Sequence, residues 1–182
     1  ILLTSTSFQD TPGEHHSLLE SRGYHIDRLR GPITAKDLLP IIKNYNAIIC
    51  GDDEYNREVL EKGKKGSLKY ISKYGVGLDR IDLKACENLE ILVKNCPGVN
   101  QVSVAEHVLA LLFSFEKNIH LQYNTTSAGS WHRMIGNEIQ HKNIGIIGLG
   151  AVGKELVKKS IALGMKVTGF DINKDQDFIN QY

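Results

Sequence analysis

The stretch Asn143–Asp171 constrains the fold more than any other part of this 182-residue chain. Asn143-Ile144-Gly145-Ile146-Ile147 reads as a short strand, and Gly148-Leu149-Gly150-Ala151-Val152-Gly153 follows it directly. A helical stretch from Lys154 to Leu163 comes next, Gly164 stops it, and Met165–Phe170 forms a second strand ending at Asp171. Strand, glycine turn, helix and strand in that order predict a parallel pair joined by a right-handed crossover. The three glycines serve different purposes. The first allows a tight turn, the second lets backbone approach a pyrophosphate, and the third permits close packing of helix on strand. Unpaired N–H groups and the dipole at the helix start favour an anion there. Asp171 lies 18 residues beyond Gly153, where an acid meets the ribose hydroxyls of a dinucleotide. A carboxylate at that point repels a 2′-phosphate, which predicts NAD rather than NADP, with the nearby Lys174 weakening the preference slightly.

The first half alternates short apolar runs with helical patterns. Strands are expected at 1–4, 25–29, 47–50, 70–73 and 91–94, with helices near 13–22, 34–44, 55–63 and 82–88. This alternation belongs to an α/β fold with a parallel sheet. It predicts a flavodoxin-like lobe over residues 1–97, followed over 98–182 by a linking helix, an arm and the start of a Rossmann nucleotide-binding domain. One long helix is expected from Gln101 to Gln122 with Asn100 as its N-cap. Its apolar face runs through residues 104, 105, 108, 109, 112, 115 and 119, with Leu111 and Phe113 off it. The polar stretch 123–143, containing Trp131 as a packing anchor, reads as an arm or loop.

Composition narrows the function classes. A net charge of +1 gives no reason to expect nucleic acid or an anionic membrane as a partner. The apolar run over 102–115 is interrupted by Glu106, His107 and Ser114 and is too short to span a bilayer. No basic segment followed by an apolar one opens the chain, so a cytoplasmic location is expected. Cys50, Cys86 and Cys96 are odd in number and lack metal-ligand spacing, which suits reduced thiols in or near a core. His15, His16, His120, His132 and His141 show no metal spacing either and read as surface or loop histidines; no metal is expected.

Three further segments carry a family resemblance. Lys73-Tyr74-Gly75-Val76-Gly77-Leu78-Asp79 with Ile81-Asp82, then Asn95-Cys96-Pro97-Gly98-Val99-Asn100 leading into Ser103-Val104-Ala105-Glu106-His107, then Gly129-Ser130-Trp131 precede the glycine loop in order. Together they resemble the D-isomer-specific 2-hydroxyacid dehydrogenases, over about residues 1–170, and most closely the phosphoglycerate dehydrogenase-like branch. Two glycines in a short turn after a strand also let successive N–H groups converge on an anion, whatever the name. The resemblance implies NAD-dependent interconversion of a D-2-hydroxy acid and a 2-oxo acid, with the nicotinamide between two lobes. It implies substrate contacts at Val76, Gly77 and Asn100, the last compatible with capping the helix. It implies cofactor contacts at Val76, Val104, Gly148, Gly150, Ala151, Val152, Gly153, Asp171 and Ile172. A homodimer is implied as well.

The same resemblance implies that catalysis uses an arginine, a glutamate and a histidine lying beyond the end of this chain, so that no catalytic residue is expected within it. The chain reads as cut at both ends, the ordered part of a longer enzyme, and inactive and unstable alone. An NAD-sensing binding protein or a catalytically dead fragment on the same fold is the alternative. Glu106 and His107 read as structural, and Lys73 as a solvated lysine at a strand end, with attraction of an anionic substrate as its second reading. Phosphoglycerate is the first expected substrate, followed by hydroxypyruvate or glyoxylate. Asp52 and Asp53, after the third strand, would disfavour a phosphate tail if they point into the pocket.

Overall fold

The computed structural model describes all 182 residues, which fall into two compact units, Ile1–Pro97 and Gly98–Tyr182. In the first unit five strands form one parallel sheet: β1 (Leu2–Leu3), β2 (Asp27–Arg28), β3 (Ala47–Cys50), β4 (Tyr70–Lys73) and β5 (Leu92–Lys94). Their order across the sheet is β2-β1-β3-β4-β5, the flavodoxin-like arrangement, with Leu2 opposite Ile48, Ile48 opposite Ile71 and Ile71 opposite Val93. The crossovers are short: α1 (Thr6–Asp10), α2 (Glu14–Glu20), α3 (Ala35–Leu38) with a 3-10 turn at Ile42–Asn44, α4 (Arg57–Gly66) and α5 (Leu83–Asn88). Leu2, Leu38, Ile48, Leu60, Leu68 and Ile71 are fully buried between sheet and helices.

Local chemistry explains most of these elements. Asn56 accepts the Val59 N–H at 3.0 Å and starts α4, which then buries Val59 and Leu60. Asp82 caps α5 through the Ala85 N–H at 2.8 Å. Asn56→Ala is expected to cost about 1 kcal/mol, read as a lower urea midpoint with an unchanged slope. Helix α1 escaped the apolar pattern because its five residues bury Phe8 alone; Ser5 starts it by accepting the Phe8 N–H at 3.2 Å.

In the second unit α6 (Gln101–Glu116) and α7 (Ile119–Ser127) precede β6 (Asn143–Ile147), α8 (Ala151–Ala162), β7 (Lys166–Phe170) and α9 (Gln176–Gln181). Strands β6 and β7 pair in parallel, Asn143 opposite Lys166 and Ile147 opposite Phe170. Ala105 and Leu109 of α6 pack on Leu156 and Val157 of α8 and on Ile146. The single helix expected over 101–122 is two helices, because Asn118 adopts a left-handed conformation (φ 54°) and donates its amide N–H to the Ile135 carbonyl at 2.9 Å. Phe113 joins the core cluster whereas Phe115 is 73% exposed. At about 100° per residue Phe113 stands about 40° from Leu109 and Phe115 about 120° away, which places the stripe's centre differently from the expected face. Trp131 is 81% exposed and anchors no packing. Ile147, Phe170 and Ile172 are also exposed, and no helix is long and apolar enough to cross a membrane.

Candidate functional site

The chain places two sets of functional residues, one in each unit. In the first unit the carboxyl ends of β1, β3 and β4 surround a pocket of about 230 Å³, lined by Thr4–Ser7, Gly31, Pro32, Gly51, Asp52 and Lys73–Gly77. The loop after β4 is fixed from behind. Tyr74 N–H donates to the Cys50 carbonyl at 2.9 Å, Cys96 N–H to the Gly75 carbonyl at 2.9 Å, and the Asn95 amide to the Val76 carbonyl at 2.7 Å. These bonds take the carbonyls and leave the N–H groups of Val76 and Gly77 without a protein acceptor, both at the pocket wall. Adjacent unpaired amides in a pinned turn form an anion seat.

Lys73 departs from its first reading. It is 6% exposed, and its ammonium donates to Asp52 Oδ1 at 2.5 Å and to the Gly51 carbonyl at 2.6 Å. Strand alternation is the cause: Ile71 and Lys73 share one face of β4, so the lysine follows the isoleucine inward. A buried ammonium persists only when paired, and Asp52, largely exposed itself, supplies the charge. The two acids after β3 therefore split. Asp52 borders the pocket, while Asp53 is fully buried and turns away from it. The carboxylate of Asp53 accepts the Thr4 hydroxyl, the Ile33 N–H at 2.7 Å and the Tyr55 hydroxyl at 3.4 Å. Burial first, then neighbouring negative charge, holds the Tyr55 phenol well above its ordinary value, so it stays a donor. Burial likewise pushes the Cys50 thiol up to about 12, with Asp53 adding to the effect, so Cys50 is no nucleophile.

In the second unit the glycine loop joins β6 to α8. Gly148 has φ +95°, which an L side chain rarely adopts. A Cβ on Gly153 would lie 2.0 Å from the Gly148 carbonyl oxygen, whereas one on Gly150 would meet nothing within 4 Å. The third glycine thus lets the helix close on the turn, and the second leaves its face open. Helix α8 begins at Ala151, earlier than the expected Lys154, so Gly153 sits within its first turn and the N–H groups of Ala151 and Val152 have no intrahelical acceptor. Asp171 ties the loop to the end of β7: Oδ2 accepts the Leu149 N–H at 2.6 Å and Oδ1 the Asn173 N–H at 2.8 Å. Those bonds, Asn173 first and Leu149 next, hold its carboxyl below the usual range. Ile172 beside it is 88% exposed.

The remaining expected residues lie at the start of α6. Asn100 is exposed, and its side chain makes no capping bond; only its carbonyl is used, by the Val104 N–H at 2.9 Å. Capping therefore does not explain this asparagine. Val104 is 38% exposed. Glu106 pairs with Lys159 of α8 at 3.1 Å, and His107 is exposed without a partner.

Residues 2–166 match the profile of the D-isomer specific 2-hydroxyacid dehydrogenase catalytic domain. The chain belongs to this family. It is 35% identical over 142 residues to D-3-phosphoglycerate dehydrogenase of Methanocaldococcus jannaschii, a match covering 76% of this chain and 27% of that protein. To hydroxypyruvate reductase of Thermotoga maritima it is 31% identical over 143 residues, covering 77% and 46%. Among solved structures, NAD+-bound 3-phosphoglycerate dehydrogenase of Entamoeba histolytica superposes with a TM-score of 0.71 at 27% identity, over 96% of this chain and 55% of that one. The chain thus spans about a quarter to a half of the length of these curated relatives. In this 2-hydroxyacid dehydrogenase chain, sequence reasoning missed the hydroxyl-bearing run Thr4-Ser5-Thr6-Ser7 at the pocket. Its position was a usable signal, since ligands of open α/β sheets bind beyond the carboxyl ends of strands.

Proposed function

We propose that the chain supplies the substrate-binding lobe (residues 1–97) and the first part of the nucleotide-binding domain (98–182) of an NAD-dependent D-2-hydroxyacid dehydrogenase, which interconverts a D-2-hydroxy acid and a 2-oxo acid. One observation carries the reading: Asp171 is bonded to the glycine loop, so a ribose-binding acid and the free amides at the start of α8 are held in one fixed arrangement. The residues fit a dinucleotide, because the loop is open at Gly150, while the bare Gly153 lets the helix start close on the turn. NAD, when bound, supplies the two-electron redox chemistry.

The chain's own residues bind and orient. The amides of Gly150, Ala151 and Val152 face the pyrophosphate, with the helix dipole behind them. Asp171 keeps a free lone pair on each oxygen for the ribose hydroxyls and repels a 2′-phosphate, and Ile172 offers an apolar face to the adenine. In the other unit, Val76 and Gly77 seat the substrate carboxylate, beside the buried Lys73. The family resemblance assigns Asn100 a substrate contact and Val104 a nicotinamide contact, both at the start of α6. No residue of this chain is assigned to proton transfer, since Glu106 is engaged by Lys159 and His107 faces solvent. A homodimer is part of the proposal through the family resemblance.

The test is calorimetric titration of the chain with NAD and NADP. NAD is expected to bind at least tenfold more tightly than NADP, and Asp171→Ala is expected to weaken NAD at least tenfold. No heat with either nucleotide would sink the reading. Asp171 has a folded-state pKa below its unfolded value, so the stability it contributes is present above the unfolded value and lost as pH falls through the folded one. Hydrogen-exchange protection of the Leu149 amide is therefore expected to persist down to about pH 4 and to fade below it. Early loss near neutral pH would contradict the bond.

A further inference from the structure

The anion seat after β4 is made of two peptide groups, and each is held by its far side. A planar trans peptide points its C=O and its N–H in opposite directions. The Gly75 carbonyl and the Val76 N–H belong to one such plane, the Val76 carbonyl and the Gly77 N–H to the next. Whatever grips the two carbonyls therefore aims the two amides. Both grips come from the end of β5. The Cys96 N–H reaches the Gly75 carbonyl at 2.9 Å, and the Asn95 side-chain amide reaches the Val76 carbonyl at 2.7 Å.

The two grips differ in kind. The bond from Cys96 runs from backbone to backbone, and any residue except proline would make it. The bond from Asn95 depends on its side chain, and the Val76 carbonyl accepts no other. The plane it holds is also the one freest to turn. Rotating the Val76–Gly77 peptide by half a turn changes ψ of Val76 and φ of Gly77 alone, and glycine accepts φ of either sign. Such a flip would put the Val76 carbonyl oxygen where the Gly77 N–H faces the pocket, and the seat would then repel an anion. A hydrogen bond on the carbonyl also polarises the peptide, which strengthens the N–H on its other side.

We propose that Asn95 is a positioning residue: by holding the Val76 carbonyl it keeps the Gly77 amide turned into the pocket and so sets the polarity of the seat. The proposal rests on the dehydrogenase reading, in which Val76 and Gly77 receive the substrate carboxylate. Asn95 is not among the residues that line the pocket, and it acts only through the Val76–Gly77 peptide.

The probe is oxamate, a non-reacting isostere of pyruvate, titrated into the isotopically labelled 182-residue chain while the Val76 and Gly77 amides are followed. Asn95→Ala is expected to weaken oxamate about fivefold, the weight of one net hydrogen bond, and to shift the Val76 carbonyl carbon and Gly77 nitrogen before any ligand is added. Asn46→Ala is the control. Asn46 makes a comparable bond to Ser67 Oγ at 2.9 Å, at the end of β3 away from the pocket, and its loss is expected to leave oxamate affinity unchanged. Asn95→Asp gives a signature that general loosening of the loop would not. Its carboxylate cannot donate, so at neutral pH oxamate is expected to bind at least about tenfold more weakly than to the unaltered chain. Its protonated form can donate, so as pH falls toward about 4 its affinity is expected to climb above that of Asn95→Ala at the same pH. Relief of charge alone would only bring it level with the alanine variant. Unchanged affinity in Asn95→Ala overturns the proposal, as does an aspartate variant that never exceeds alanine at low pH. Failure of oxamate to shift either seat amide of the unaltered chain overturns it too. NAD, titrated separately against the Ala151 and Val152 amides, tests the dehydrogenase reading. Shifts there leave that reading standing when the proposal falls, and their absence removes both together.

Discussion

Gly153→Val is expected to abolish the proposed nucleotide binding and to loosen the second unit. The new Cβ would sit 2.0 Å from the Gly148 carbonyl oxygen and 3.0 Å from its carbon, well inside contact distance of backbone that cannot swing aside. Relief requires α8 to move off the turn, which also withdraws Leu156 and Val157 from Ala105 and Leu109. Overpacking of this kind costs about 3 kcal/mol, and the displaced helix start no longer presents its amides with the loop. A loss of NAD affinity of more than a hundredfold is expected by calorimetry, together with a lower melting temperature. Gly150→Ala serves as the contrast, since a Cβ there meets nothing within 4 Å. It should leave the melting temperature nearly unchanged while weakening NAD, because the proposed function puts the ligand on the open face of the loop. Equal effects of the two substitutions on stability would contradict the assigned roles.

Asp53→Ala is the most damaging single change expected in the first unit. Three groups lose their acceptor at once: the Thr4 hydroxyl, the Ile33 N–H and the Tyr55 hydroxyl, with Thr4, Asp53 and Tyr55 all fully buried. Leaving buried donors without partners costs about 1–3 kcal/mol each at the upper bound, and networks of this kind fail together. Thr4 keeps a weak alternative in the Ile49 carbonyl at 3.3 Å, which softens the total. A net loss of about 3–5 kcal/mol is therefore expected, a large fraction of the stability of an ordinary domain. Urea denaturation followed by far-ultraviolet dichroism reads it directly. Asp53→Asn keeps one acceptor oxygen and should recover part of the loss. A fully stable alanine variant would show that Asp53 does not hold these strands together.

The legible parts of the molecule were those in which periodicity and turn chemistry agree. Strands β3, β4, β6 and β7 stand out as apolar or alternating runs, and the glycine loop declares its own geometry. What escaped notice depended on tertiary partners. Asn118 breaks the long helix, yet the apolar residues continue through Ile119, so the pattern alone carries on across the break. Lysine at the end of a strand is ordinarily solvated; Lys73 is buried because Asp52 approaches from β3, a neighbour that only strand pairing provides. Asp52 and Asp53 are equivalent as letters and opposite in direction, one toward the pocket and one into the core. Helix α9 follows from its cap, with Asp175 accepting the Phe178 N–H at 3.1 Å, in a short polar stretch whose apolar residues, Phe178 and Ile179, are too few to show a helical period.

The two backbone bonds to Asp171 bear on any attempt to re-engineer cofactor choice. Replacing this acid with a small neutral residue, to admit a 2′-phosphorylated nucleotide, also removes the acceptor for Leu149 and Asn173 and frees the turn that, in the proposed function, holds the pyrophosphate. In the proposed function, selectivity and grip are thus written into one side chain. A productive swap has to be made in two moves, with asparagine or serine retained at 171 to keep the turn anchored and the new positive charge introduced elsewhere, at Ile172 or Asn173. A lineage changing its nucleotide one residue at a time would cross a state that holds neither nucleotide well.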